Sequence, residues 1–84
     1  MPVISELRND ISAYIKEHGL SRKWEKARIL FEHDSAHPSL NTELLEPKHR
    51  RIYSFRLDMK YRALFICPDE DRVEIIAVTN HYKK

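Results

Sequence analysis

Glycine and cysteine are almost missing from this chain of 84 residues, which has one of each. Gly19 alone cannot build a phosphate-cradling P-loop or a dinucleotide-binding turn, because those need two or three bare backbone positions close to phosphate. Cys67 alone excludes an intramolecular disulfide and every zinc site built on cysteine pairs, so the chain has no need of an oxidising compartment. Long hydrophobic runs are missing too: none approaches the ~18 apolar residues of a membrane span. The first ten residues carry Glu6, Arg8 and Asp10 where a secretory leader would be apolar. A cytoplasmic protein without a membrane anchor is expected. An overwhelming positive field is also lacking, since 15 Lys and Arg stand against 13 Asp and Glu, a net charge of +2. That permits a nucleic-acid partner without requiring one, and leaves the distribution of charge to decide.

What is present is enough for one domain spanning residues 1–84. Hydrophobic residues make up 42% of the chain, sufficient for a core, and charged residues 33%, above the roughly 25% of an average domain, so the surplus must lie on the surface. No repeat and no low-complexity stretch divides the chain, but its periodicity changes near the middle. Ile4, Leu7, Ile11, Tyr14 and Ile15 recur at spacings of three and four, which predicts a first helix from Val3 to Glu17, with Gly19 just past its end. Ser21 is the expected N-cap of a second helix carrying Trp24, Ala27, Leu30 and Phe31 on one side and ending at Asp34–Pro38. Gly19 and Leu20 are so short a link that the helices must form an antiparallel hairpin.

From Pro38 to His49 the pattern is irregular, with Leu40, Leu44 and Leu45 as expected anchors. The period then becomes two. Residues 52–57, 61–67 and 73–79 read as three antiparallel strands, the first two joined across Asp58, Met59 and Lys60. Tyr53, Phe55 and Leu57 would face the helices, whereas Ser54 and Arg56 would face a mixed side that is the candidate working surface. The expected fold is α+β: an N-terminal helix hairpin packed on one face of a small antiparallel sheet.

A three-residue loop at 58–60 sets Arg56 opposite Arg62 with both side chains on the same face. Two readings stay open. Such a pair of like charges suits a phosphate-bearing partner, which arginine's planar fork recognises well, and equally each arginine can pair with Glu43, Glu46, Asp58 or Glu74. Lys48, His49, Arg50 and Arg51 either extend the positive surface or keep a strand edge solvated. At the C-terminus, alternation from Val73 sends His81 to the face of Ile75 and Ala77. A terminal histidine is commonly a surface residue, although an ordinary pKa of about 6.5 suits proton transfer. His33 and His37 have metal-ligand spacing, but the helix should end between them and only one acid is adjacent, so no metal site is expected. Trp24 and Phe31 read as core, and Cys67 as a small buried hydrophobe.

The second half resembles a known family. Ser39-Leu40-Asn41 with Leu44, then Ile52-Tyr53-Ser54-Phe55-Arg56-Leu57, Lys60-Tyr61-Arg62-Ala63-Leu64-Phe65 and the ending Val73-Glu74-Ile75-Ile76 with His81-Tyr82 are similar to the RelE/ParE superfamily of toxins from bacterial toxin–antitoxin modules, and most to its YoeB/Txe-like branch. The helix hairpin agrees with the family's order of elements. The family opens with a strand before the helices, for which Met1-Pro2-Val3-Ile4 is short, so the resemblance implies a smaller sheet or one completed by a partner.

For function the resemblance implies a ribosome-dependent endoribonuclease that cuts messenger RNA at the ribosomal A site, by attack of a ribose 2′-hydroxyl on its own phosphate, without metal or other cofactor. The family's terminal histidine, the acid, falls on His81 and the adjacent tyrosine on Tyr82. Its phosphate-holding arginine falls on Arg62, with Arg56 as a second contact and Lys48, Arg50 and Arg51 as further RNA contacts. The base falls on Glu43, with Glu46 in reserve because loop lengths vary. The implied partners are a cognate antitoxin over the basic face or along the helices, messenger RNA and the ribosome, with the chain a monomer or homodimer. Two relatives of the same fold imply otherwise: a ParE-like inhibitor that binds a topoisomerase (gyrase), and a degenerate, non-catalytic RNA- or protein-binding member.

Overall fold

The computed structural model describes residues 3–80. In chain order it runs β1 (Val3–Ile4), α1 (Asn9–Glu17), α2 (Ser21–His33), a 3-10 turn at Pro38–Leu40, β2 (Glu43–Leu44), a second 3-10 turn at Lys48–Arg50, β3 (Tyr53–Arg56), β4 (Arg62–Asp69) and β5 (Arg72–Thr79). The five strands form one sheet in the order β1-β5-β4-β3-β2. The α+β architecture and the antiparallel β3-β4-β5 meander are as expected, but β1 adds a parallel pairing to β5, so the sheet is mixed.

The opening strand corrects the expected start of the first helix. Val3 and Ser5 donate to Asp71 O and Val73 O at 2.9 and 2.8 Å, which commits these residues to the sheet, and the helix begins only at Asn9. Ile4 and Leu7 fall in helical phase with Ile11 and Ile15 because both a buried strand residue and a helix stripe face the same core. Ile4's own N–H points away from β5 and is capped by Glu32 Oε2 of α2 at 2.8 Å. The edge donor is therefore covered by the chain's own side chain.

The link between the helices is set by Gly19, whose φ of +65° is a left-handed conformation that only glycine adopts freely. Leu20 N–H reaches back to Ile15 O at 2.8 Å and Gly19 N–H to Lys16 O at 3.2 Å, the paired bonds of a Schellman motif. Leu20 follows at once as the N-cap of α2, so Ser21 is the first helical residue and makes no side-chain cap. At the far end Asp34 closes α2 as expected.

The core lies between the helices and one face of the sheet. Phe55 is fully buried, 4.8 Å from Phe31, 5.7 Å from Phe65 and 6.2 Å from Trp24, measured between ring centres. Offset aromatic packing of this kind adds to the area buried, and a Phe→Ala change at such a site costs about 3–5 kcal/mol. Leu40 is buried and pins the irregular segment, whereas Leu44 is exposed; of the three expected anchors Leu40 alone is in the core. Cys67 is exposed, not a buried hydrophobe, because β4 outruns β3 and its last residues have a neighbour on one side only. The same freedom accommodates Pro68 in a strand.

An irregularity in β5 changes which side chains share a face. Leu64 pairs with Ala77 while Phe65 pairs with Ile75, so one extra residue is inserted and alternation resets. Ile75 and Val78 face the core; Ala77 and Thr79 face the opposite side with Leu64 and Arg62. Ile75 and Ala77 therefore do not share the face that simple alternation gave them. His81 itself lies outside the described residues, as does Tyr82.

Candidate active site

The face away from the helices is organised around Arg62. It is the first residue of the central strand β4, stands opposite Arg56 on β3 and Thr79 on β5, and is only 6% exposed. A guanidinium so buried needs fixed acceptors. Ser54 supplies two of them, its Oγ at 2.9 Å from Nε and its carbonyl at 3.4 Å from Nη2, and Asn41 O lies 2.6 Å from Nη2. No buried side-chain nitrogen or oxygen among the described residues lacks a partner.

The segment before β2 brings the carboxylate in. His37 accepts from Ser39 N–H at 3.1 Å and so caps the 3-10 turn that buries Leu40. Asn41 then takes a left-handed φ of 48°, a conformation its side chain tolerates, and turns its carbonyl toward Arg62. Thr42 Oγ1 ties the bend to Ser35 O at 3.1 Å. Glu43 enters β2 opposite Ser54, and its Oε2 lies 3.7 Å from Arg62 Nη2 and 3.5 Å from Asn41 Nδ2. The Glu43 side chain remains 23% exposed. The Glu43 carboxyl group thus has a cation beneath it while part of it faces solvent.

Of the residues picked out by sequence, Glu43 and Arg62 come together, and Arg56 adjoins them as Arg62's register partner. Arg56 is half-buried and makes no hydrogen bond or ion pair among the described residues. Glu46 is exposed, beyond the end of β2. Lys48, Arg50 and Arg51 are exposed around the second 3-10 turn, ahead of Tyr53. They stand at the opposite end of β3 from Arg56, a strand length of about 10 Å. The positive charge is therefore split into two patches. Among the described residues no group of three or more His, Cys, Asp or Glu is placed to hold a metal ion, and no helix is long and apolar enough to cross a membrane.

Alternation places Ser54 on this face but assigns it no role in the site. Ser54 is fully buried between Tyr53 and Phe55, and a small hydroxyl in an otherwise bulky strand, diagonal to Arg62 on the next strand, is the sequence signal for it. Beside it, the β3–β4 turn is built on Asp58, whose Oδ1 accepts from Lys60 N–H at 2.8 Å and Tyr61 N–H at 2.7 Å, while Oδ2 accepts from Lys23 Nζ at 2.7 Å. Burial pushes this carboxyl up, but the Lys23 ammonium and the two backbone donors outweigh it and hold the carboxyl below its ordinary range.

No family model matches the chain, and no curated protein does. Solved structures do. The YoeB/ParE toxin from Agrobacterium tumefaciens superposes with a TM-score of 0.69 at 16% identity, over 98% of this chain and all of that one. The YoeB dimer from Staphylococcus aureus gives 0.66 at 16% identity over 95% and 94% of the two chains. The heterotetrameric YoeB–YefM toxin–antitoxin complex from the same organism gives 0.67 at 16% identity over 98% and 97%. The chain has the fold of the YoeB/ParE toxins, from β1 to the end of the sheet.

Proposed function

We propose that this chain is the toxin of a toxin–antitoxin pair and that it cuts messenger RNA on the ribosome. The observation that carries the reading is the Glu43–Arg62 pair, 3.7 Å apart on the face away from the core, with Thr79 beside Arg62 and His81 two residues further along the chain. In the proposed reaction Glu43 removes the proton of a ribose 2′-hydroxyl, whose oxygen attacks the adjacent phosphorus. The bond from phosphorus to the 5′-oxygen breaks, and His81, as imidazolium, protonates that oxygen. A 2′,3′-cyclic phosphate and a 5′-hydroxyl result. Tyr82 flanks the acid, and Arg56 contacts phosphate. Arg62 holds Glu43 through the Asn41 turn and lends its charge to the phosphorane as it forms.

The structural neighbours support the partners of this reading. One is a dimer and another a heterotetramer with the antitoxin YefM, in keeping with self-association and an antitoxin for this chain. The exposed Lys48, Arg50 and Arg51 patch suits RNA or an acidic antitoxin segment. The test is to express the chain, follow growth, and map the ends of cut transcripts from translating cells. Breaks bearing 5′-hydroxyls and 2′,3′-cyclic phosphates are expected. Growth arrest with intact transcripts would contradict the ribonuclease reading and fit a topoisomerase-binding toxin; no arrest would fit a non-catalytic binding member.

A further inference from the structure

A cleft of about 320 Å³ opens between α2 and the β3–β4 hairpin. Leu30 of α2 and Leu57 after β3, both half-buried, give it an apolar wall. Lys23, Lys26 and Arg56 also line it, with Asp58 as its one acid. Lys23 and Asp58 neutralise one another at 2.7 Å. Lys26 and Arg56 are left, and neither makes an ion pair among the described residues. Two unneutralised cations beside an apolar wall fit a ligand that is anionic at one end and flat and apolar at the other, and the volume, at the lower end of ligand sites, admits one such unit.

Position decides which ligand. Arg56 is the register partner of Arg62, so the cleft begins one strand away from the carboxylate. A single RNA strand with one phosphate at Glu43 and Arg62 can carry its next nucleotide past Arg56, the cation on the neighbouring strand. An acidic helix would need a row of apolar contacts at i, i+4 and i+7, longer than this cleft provides. A nucleobase needs only one apolar face, which a short leucine wall supplies.

We propose that this cleft is a nucleotide subsite for single-stranded RNA, in which Lys26 and Arg56 hold the phosphate next to the scissile one and Leu30 and Leu57 receive its base. The proposal rests on the ribonuclease reading for which strand occupies the cleft, not for the binding itself. The probe is a fluorescent 2′-O-methyl RNA hexanucleotide, which has no free 2′-hydroxyl and cannot be cut, with its affinity for the full chain measured across a series of salt concentrations. Each lost phosphate contact should make the negative slope of log K against log salt shallower by about 0.7. Lys26→Ala and Arg56→Ala should each show that loss with unchanged melting, and Lys26→Arg should restore the parent slope. Failure of the parent chain to bind, or parent slopes in both alanine variants, would overturn the subsite. So would weakened binding of an acidic peptide in those variants with RNA binding unaltered, which would make the cleft a protein site. The two readings fail separately: normal slopes in Lys26→Ala and Arg56→Ala, in a chain whose transcript cleavage needs Glu43, remove only the subsite. Reduced slopes in a chain that cuts nothing remove only the ribonuclease.

Discussion

Ser54 Oγ accepts from Arg62 Nε at 2.9 Å where both residues are buried. The serine hydroxyl gives the buried guanidinium one of its fixed acceptors. Ser54→Ala removes little volume but leaves a charged donor short of an acceptor out of water, at a cost of about 1–3 kcal/mol. In a domain of this size each kcal/mol lowers Tm by about 4–8 °C. Thermal unfolding of Ser54→Ala should therefore show a clear drop, larger than that of alanine at an exposed serine such as Ser12.

Arg62 should tolerate no substitute. Arg62→Ala leaves the Asn41 carbonyl and Ser54 hydroxyl facing an empty space, and about 3 kcal/mol or more of stability should be lost. Arg62→Lys keeps the charge, but an ammonium on a flexible stem cannot meet the Ser54 and Asn41 acceptors in one plane. Denaturant unfolding should place it between the parent and Arg62→Ala, and transcript cleavage should fall about 10²-fold or more as Glu43 loses its support.

Asp58 makes stability depend on pH in a direction that can be worked out. Its carboxyl is held below the ordinary range in the folded chain, so its contribution is fully present above the unfolded carboxyl value near ~4 and is lost as pH falls through the lower folded value. Asp58→Asn keeps a turn acceptor and loses the charge. The difference in stability between parent and Asp58→Asn should be constant at neutral pH and shrink below about pH 4. Lys23→Ala, removing an exposed partner, should cost less than about 1 kcal/mol. Urea unfolding at pH 7 and pH 3 measures both.

Glu32 should decide whether the sheet's β1 edge stays closed. Its Oε2 takes the Ile4 N–H and its Oε1 the Arg28 guanidinium at 2.9 Å. Glu32→Ala should speed hydrogen exchange at the Ile4 amide while leaving Phe55 and Phe65 protected, and Glu32→Gln, which keeps an acceptor, should change it less.

Much of this arrangement was written locally. The helix stripe of Ile11 and Ile15, Gly19 at the turn and the two-residue alternation around Phe55 each followed from neighbours in sequence, and so did the Arg56–Arg62 pairing, which a short hairpin loop fixes. The parts that were not legible depend on contacts between distant segments. Val3 and Ile4 are β-branched but too short a run to read as a strand, and they pair because Arg72 and Val73 offer a free edge. The extra residue in β5 that reverses Ala77 and Thr79 has no local marker such as glycine. The burial of Arg62 depends on Asn41 folding over it, which its place in a polar loop does not announce. The resemblance puts the proposed base at Glu43, and the 3.7 Å approach of that carboxylate to Arg62 is a product of the same fold-over.

The most direct test of the account is transcript cleavage on translating ribosomes by the parent chain, Glu43→Gln and His81→Ala, each checked for an intact fold by melting. If Glu43 is the base and His81 the acid, each substitution should slow cleavage about 10²–10⁴-fold with little change in Tm. Parent-like cleavage by a folded Glu43→Gln protein would contradict the account, because the carboxylate that Arg62 holds would then have no part in the reaction.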